Sequence, residues 1–166
     1  IVLSTLILTQ SVKAEPIKLN MVFVPASEKG DDKDYTNLIK IIEKLAKIEI
    51  KPIRVTDYNA AVEAMRAGRA QIAWYGGKTY IHAAKIADAE AFAAGVRKGD
   101  KSAGYYTYFV VPSDSPIKTL YEVKGKTLAL NSIGSTSGDL IPQVELMKVG
   151  LSTKNKEHFK KVVYAG

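Results

Sequence analysis

Hydrophobic segments alternate with amphipathic ones along the first half of the chain, and their spacing predicts strands and helices in turn. Each short run of β-forming residues is followed by a stretch in which apolar residues recur at helical spacing. The predicted strands are 17–24, 50–55 and 71–75, and the predicted helices are 33–48, the stretch between Asp57 and Gly68, and the stretch that follows Gly76-Gly77 up to about Ala87. This alternation is typical of an α/β fold with a mainly parallel sheet.

The second half of the chain carries shorter signals. The predicted elements are strands at 89–95 and 105–111, a hinge-like polar segment at 112–116, a short helix near Leu120, a strand at 127–130, a helix at 138–148 and a strand at 159–164. Two strands after residue 112 are too few to bury a core of their own. We therefore expect one α/β unit over 15–111 and a second, C-terminally truncated unit over 112–166.

The first 14 residues predict the remnant of a signal peptide. An apolar run from Ile1 to Leu8 precedes Val12-Lys13-Ala14, in which small residues occupy the two positions that a signal peptidase reads. We expect cleavage after Ala14 and a periplasmic location. The alternative interpretation is a buried first strand. In either case the run is too short to span a bilayer, which takes ~20 residues.

Composition fits a soluble globular protein, with 46% hydrophobic and 25% charged residues. The absence of cysteine excludes disulfides and thiolate metal sites. The net charge of +7 raises the question of nucleic-acid binding, which favours arginine on a concentrated basic face. Of the 24 basic residues only Arg54, Arg66, Arg69 and Arg97 are arginine, and the lysines are spread along the chain. We expect a solvated basic surface that binds no nucleic acid and steers anions.

The hydroxyl-rich segment Ser135-Thr136-Ser137-Gly138 follows a predicted strand and precedes a predicted helix. Pro142 lacks an amide hydrogen and is tolerated only near the first turn of a helix, which places the helix start near Ser137. The unpaired N–H groups of that turn then lie beside three hydroxyls, an arrangement suited to an anion. From this segment alone, an ordinary helix cap and an anion site fit equally well. Asp139 in the same turn would compete with an anion unless it points away.

Aromatic residues lie at the ends of several predicted elements. Tyr58 lies at a helix start, Trp74 and Tyr75 at a strand end, and Tyr105 and Tyr106 at the start of a strand. Ligands of open α/β sheets bind at strand ends, and a tyrosine hydroxyl donates a hydrogen bond without adding charge. Taken singly, each of these residues is more often an ordinary core or surface aromatic than a ligand contact.

Sequence motifs of catalysis and metal binding are missing. His82 and His158 lack the partner spacing of a catalytic triad or a metal site, and we expect His82 on an exposed helix face. The chain contains no G-x-S-x-G, no H-E-x-x-H and no Walker loop. We therefore expect a protein that binds without catalysing a reaction and uses neither a metal nor a cofactor.

Several short motifs, in the same order along the chain, resemble the periplasmic phosphonate- and phosphite-binding proteins of ABC importers. They are Asp57-Tyr58, 62–68, 72–76, 104–106, 114–117, 124–127 and 135–138, and the resemblance covers 17–166. It implies a type II periplasmic-binding-protein fold, in which two α/β lobes close on the ligand, with the second lobe incomplete here. It also implies the ligand-binding residues: Ser135, Thr136 and Ser137 for the phosphonyl oxygens, Tyr58 and Tyr105 facing the ligand, and Tyr75 as a weaker candidate.

The resemblance implies a transport receptor rather than an enzyme. We expect a periplasmic monomer that captures a small phosphorus oxyanion and delivers it to the membrane permease of an ABC importer. The alternative is a ligand-sensing domain of the same fold in a signalling or regulatory protein. The predicted signal peptide and the absence of an N-terminal helix-turn-helix favour the transporter.

Overall fold

The first sheet consists of three parallel strands. The computed structural model describes residues 15–25, 32–99 and 101–165, with the backbone alone at 32–34, so the signal peptide predicted at 1–14 lies outside the described residues. The strands β1 (Ile17–Phe23), β2 (Ile48–Ile53) and β3 (Ile72–Trp74) lie in the order β2-β1-β3. β1 pairs in parallel with both neighbours, which confirms the predicted parallel sheet.

Helices α1 (Asp32–Ala46), α2 (Tyr58–Arg66) and α3 (Gly77–Ile86) follow the three strands in turn. α2 begins where predicted, because the Asp57 side chain accepts a 2.8 Å hydrogen bond from the backbone N–H of Ala60. None of the helices in the described ranges has both the length and the apolar character that crossing a membrane requires.

β1 is buried on both faces, which explains why the first sheet has two core clusters. Val22 packs with Ala61 of α2 on one face, and Met21 packs with Ile39 of α1 and Ile50 of β2 on the other. Adjacent residues of a strand point to opposite faces, so these two clusters fix β1 between helices on both sides. The C-terminal end of β3 and the start of α3 are thereby held in place.

The second sheet contains the two strands predicted after residue 112. β4 (Thr127–Leu130) and β5 (Lys161–Tyr164) pair in parallel. A short 3-10 helix (Leu120–Val123) precedes β4, and a π-helical turn (Thr136–Leu140) leads from β4 into α4 (Ile141–Lys148). Leu146, Leu151 and Phe159 form a small core beneath these elements, so the expectation that two strands bury no core of their own is wrong. The division of the chain into two units at residue 112 stays a prediction.

Two predicted strands, 89–95 and 105–111, are wrong. Within the described residues both segments lack regular secondary structure and pair with neither sheet. Their side chains are largely exposed, reaching 82% at Phe92 and 88% at Val110. Strand-forming composition reports a local preference, whereas a strand also needs a partner backbone. Neither sheet supplies that partner in the described part of the chain.

Candidate functional site

A cavity of about 1380 Å³ opens where β3 ends and α3 begins, and the turn before α4 forms part of its wall. All six residues that the sequence predicts for ligand binding line this cavity: Tyr58, Tyr75, Tyr105, Ser135, Thr136 and Ser137. Its wall also includes Trp74, Gly76, Gly77 and the irregular segment 87–97. Residues from distant parts of the chain therefore meet at one place.

Pro142 explains the shape of the hydroxyl turn. Ser135 caps the turn by accepting a 3.0 Å hydrogen bond from the backbone N–H of Gly138. Pro142, in the first turn of α4, has no N–H to offer the carbonyl of Gly138, four residues earlier. That carbonyl instead accepts a 2.9 Å hydrogen bond from Asn131, just after β4. The helix predicted at 138–148 is consequently regular only from Ile141.

Each of the three hydroxyl oxygens of the turn accepts a hydrogen bond from the protein. The donors are Gly138 N–H to Ser135 Oγ at 3.0 Å, Lys78 N–H to Thr136 Oγ1 at 2.9 Å, and the Tyr105 hydroxyl to Ser137 Oγ at 3.2 Å. None of the three hydroxyls donates to another described residue. Because a hydroxyl has one hydrogen to donate, all three O–H groups remain available to an anion in the cavity.

The starts of α2 and α3 hold the turn in place. Thr79 Oγ1 donates a 2.9 Å hydrogen bond to the carbonyl of Gly134. A Cβ atom on Gly134 would lie 2.3 Å from Tyr58 Cβ, and one on Gly76 would lie 3.0 Å from Thr136 Oγ1. Gly134 cannot carry a side chain, because Tyr58 occupies the position of its Cβ atom. A side chain at Gly76 would press on the hydroxyl of Thr136.

The three predicted tyrosines take different roles. Tyr58 is buried at the start of α2, and its ring packs in the core. Tyr75 donates its hydroxyl to the carbonyl of Ala61 at 3.0 Å, and burial raises the pKa of Tyr75 to about 12. Tyr105 is 63% exposed and donates its hydroxyl to Ser137. Of the three hydroxyls, that of Tyr105 bonds directly to the hydroxyl turn.

Asp139 points away from the cavity. It is 1% exposed and does not line the cavity wall. It forms an ion pair with Lys78 and accepts hydrogen bonds from Gln143 Nε2 at 2.5 Å and from the Tyr164 hydroxyl at 3.0 Å. Burial and, after it, the hydrogen bond to Asp139 raise the pKa of Tyr164. The carboxylate that would compete with an anion is thus paired with a cation behind the turn.

Lys78 is absent from the residues that the sequence predicts for the site. Its partner Asp139 lies 61 residues further along the chain, and spacing patterns report only local neighbours. One signal was present, since a lysine in the first turn of a helix opposes the helix dipole. A cation in that position is stabilised by an anionic partner from elsewhere in the fold.

The histidines and acidic residues of the described ranges form no group that could hold a metal ion. His82 is exposed on α3, as expected. His158 accepts a 2.9 Å hydrogen bond from the backbone N–H of Ser152 through Nδ1, which stabilises a local turn. The cavity wall carries the charged residues Asp88, Glu90 and Arg97 as well as the hydroxyl turn.

The chain has relatives among curated transport proteins. It is 29% identical, over 99% of its length, to the phosphonates-binding periplasmic protein of Escherichia coli. It is 30% identical, over 89% of its length, to the phosphate-import protein PhnD of Mycolicibacterium smegmatis. It covers 49% and 48% of these two proteins, so it spans about half the length of the curated relatives it matches.

The fold is similar to that of a binding protein component of an ABC phosphonate transporter from Pseudomonas aeruginosa. The TM-score is 0.76 at 23% identity, over 92% of this chain and 51% of that one. This likeness confirms the type II periplasmic-binding-protein fold that the motifs implied. A family model described as "ABC transporter, phosphonate, periplasmic substrate-binding protein" matches residues 21–166. The chain therefore belongs to the family of periplasmic phosphonate substrate-binding proteins of ABC transporters.

Proposed function

We propose that the full-length protein is the periplasmic solute-binding component of an ABC importer and captures a phosphonate or a related phosphorus oxyanion. The observation that carries the proposal is the turn Ser135–Ser137. Its three hydroxyls accept hydrogen bonds from the protein and keep their own hydrogens for a ligand. The family description, a substrate-binding protein of a transporter, supports binding without catalysis.

Three donors on one turn favour a ligand end that carries only acceptor oxygens. An unprotonated phosphonyl group offers three such oxygens, and the N-terminal end of the helical turn adds a favourable dipole. Each hydrogen bond to a charged acceptor contributes roughly 1.5–3 kcal/mol. Three of them give about 4.5–9 kcal/mol before the ordering cost of binding is subtracted, so the helix dipole and the other contacts of the cavity must add to them to reach the ~8 kcal/mol of a micromolar complex.

The tyrosines complete the proposed ligand-binding set in different ways. Tyr105 is exposed beside the turn and faces the ligand, while its one hydroxyl hydrogen goes to Ser137 and orients that hydroxyl. Tyr58 supports the turn through its packing against Gly134. The Tyr75 hydroxyl donates to the carbonyl of Ala61. The ring of Tyr75 is therefore the part of this side chain that can contact a ligand in the cavity. Direct hydrogen bonds to the anion therefore come first from Ser135, Thr136 and Ser137, with Tyr105 beside them.

The location and the partner belong to the same proposal. The protein works in the periplasm as a monomer and delivers its ligand to the membrane permease of the importer. The E. coli relative is described as a periplasmic binding protein and the M. smegmatis relative as an import protein. Both descriptions support a transporter component over a sensing domain.

Isothermal titration calorimetry on the full-length protein tests the proposal. Methylphosphonate, aminoethylphosphonate, phosphite, phosphate and sulfate are titrated separately at one pH and one salt concentration. We expect the phosphonates to bind more tightly than phosphate or sulfate. Absent heats with the phosphonates, or an affinity for sulfate equal to theirs, would contradict the assignment.

A further inference from the structure

Lys78 contacts the hydroxyl turn through both its backbone and its side chain. Its N–H donates to Thr136 Oγ1 at 2.9 Å, and its ammonium group forms an ion pair with Asp139. The lysine lies in the first turn of α3, where the helix dipole disfavours a cation. Asp139 supplies the anionic partner from the turn that precedes α4.

Both carboxylate oxygens of Asp139 are occupied. Oδ2 pairs with Lys78, while Oδ1 accepts from Gln143 at 2.5 Å and from Tyr164 at 3.0 Å. The side chains of Lys78 and Asp139 are 31% and 1% exposed. Removing one partner of a buried ion pair leaves an uncompensated charge. The ammonium group of Lys78 and the carboxylate of Asp139 form an ion pair that has no net charge.

Asp139 lies close behind the cavity although it does not line it. Its neighbour Gly138 belongs to the cavity wall, and Thr136 lies three residues earlier in the same helical turn. Three residues of chain span at most about 10–11 Å, whatever the type of turn. At such a separation an uncompensated charge changes the affinity for an anion by roughly tenfold or more in a partly buried environment. The field of this carboxylate reaches the site even though its side chain does not.

We propose that the Lys78–Asp139 pair contributes to the electrostatic potential of the anion site, beside Asp88, Glu90 and Arg97 of the cavity wall, because Lys78 cancels the charge that Asp139 would otherwise present to the ligand. This inference rests on the proposed function, since it takes the hydroxyl turn as the site of a phosphorus oxyanion. It makes Lys78 and Asp139 affinity-determining residues that lie outside the cavity wall.

A charge role and a purely structural role predict effects of different sign. Lys78→Met leaves the carboxylate of Asp139 uncompensated and weakens methylphosphonate binding roughly tenfold. Asp139→Asn leaves the ammonium group of Lys78 uncompensated and strengthens binding by a similar factor of about ten. The double variant carries neither charge and returns to within about threefold of the wild-type affinity. If the pair only held the turn in shape, both single variants would weaken binding.

Lys148 and Glu145 provide matched controls. They form an exposed ion pair on α4, the helix that follows the turn. Lys148→Met and Glu145→Gln change the net charge by the same amounts as the two single variants and with the same kinds of substitution. Exposed pairs have small effects, so we expect each control to change the affinity by less than about twofold.

The experiment is calorimetric titration of methylphosphonate into the full-length wild-type protein, the three pair variants and the two controls. Circular dichroism follows the thermal unfolding of each. Opposite shifts in the two single variants, with recovery in the double variant, support the inference. Weaker binding in both single variants, or no change in either, overturns it. If Lys78→Met does not fold, Asp139→Asn decides alone, because tighter binding supports the charge role and weaker or unchanged binding overturns it.

The outcomes separate this inference from the proposed function. A wild-type protein that binds no phosphorus oxyanion overturns both. A wild-type protein that binds methylphosphonate, with single variants that shift in the same direction, overturns the inference alone and leaves the proposed function standing.

Discussion

The hydroxyl of Thr136 accepts a 2.9 Å hydrogen bond from the backbone N–H of Lys78, 58 residues earlier in the chain. Lys78 lies in the first turn of α3, and the N-cap of that helix is Gly76, which has no side chain to offer. Thr136 therefore supplies the cap that Gly76 lacks. One side chain thus connects the end of a helix with the proposed anion site, and its loss affects both stability and binding.

Thr136→Val replaces this hydroxyl by a methyl group of similar size. We expect methylphosphonate binding to weaken by about 1.5–3 kcal/mol, because one donor to a charged ligand is lost. The free energy of unfolding should fall by about 0.5–2 kcal/mol, because α3 loses its cap. Calorimetry and urea denaturation of the full-length protein measure the two effects. Thr127→Val, at an exposed position of β4, is the matched control, and an unchanged affinity in Thr136→Val would contradict the assignment.

Tyr105→Phe keeps the aromatic ring and removes the donor to Ser137 Oγ. We expect the affinity for methylphosphonate to weaken by about 0.5–1.5 kcal/mol, since the Ser137 hydroxyl loses the bond that orients it. Tyr106→Phe is the matched control, because Tyr106 is the next residue, is also exposed and lies outside the cavity wall. Equal affinities of the two variants in calorimetry would rule out the role given to Tyr105.

Gly134→Ala introduces a Cβ atom 2.3 Å from Tyr58 Cβ. Either the hydroxyl turn or α2 must shift, and we expect the free energy of unfolding to fall by about 1–3 kcal/mol or more. Gly99→Ala is the control, because nothing lies within 4 Å of the added atom. Urea denaturation compares the two variants. Equal stability would mean that the turn does not dock on Tyr58 as described.

Tyr75 gives the protein a stability term that depends on pH. Burial raises the pKa of Tyr75 from its ordinary value of 10 to about 12. Folding thus favours the protonated phenol, so this contribution is present in full below pH 10 and is lost as the pH rises towards 12. We expect the unfolding free energy of the wild type to fall more steeply over this range than that of Tyr75→Phe. Urea denaturation measures the unfolding free energy of both proteins at each pH. An equal fall in the two proteins over this range would contradict a buried phenol at Tyr75.

Much of the fold could be predicted because hydrophobic spacing is a local property. β4 occupies the predicted 127–130, and α2 begins directly after its predicted cap, Asp57. Pro142 also predicted a helix start beside the hydroxyls, because a residue without a backbone N–H is tolerated only in the first turn of a helix. What the pattern could not show is that the missing N–H frees the Gly138 carbonyl for Asn131.

The spacing of hydrophobic residues does not predict which distant segments contact each other. The segments 89–95 and 105–111 have strand-forming composition, yet a strand also depends on a partner backbone that composition does not specify. The pairing of Lys78 with Asp139 joins positions 61 residues apart, so no spacing motif contains both. A lysine in the first turn of a helix opposes the helix dipole, but only the fold identifies the anionic partner of Lys78.

A crystal structure of the full-length protein with methylphosphonate tests the central claim, which is that the hydroxyl turn is the anion site. We predict phosphonyl oxygens about 2.5–3.0 Å from the hydroxyl oxygens of Ser135, Thr136 and Ser137, with Asp139 still paired with Lys78 behind them. A methylphosphonate bound elsewhere, with none of these three hydroxyls within hydrogen-bond distance, would contradict the claim.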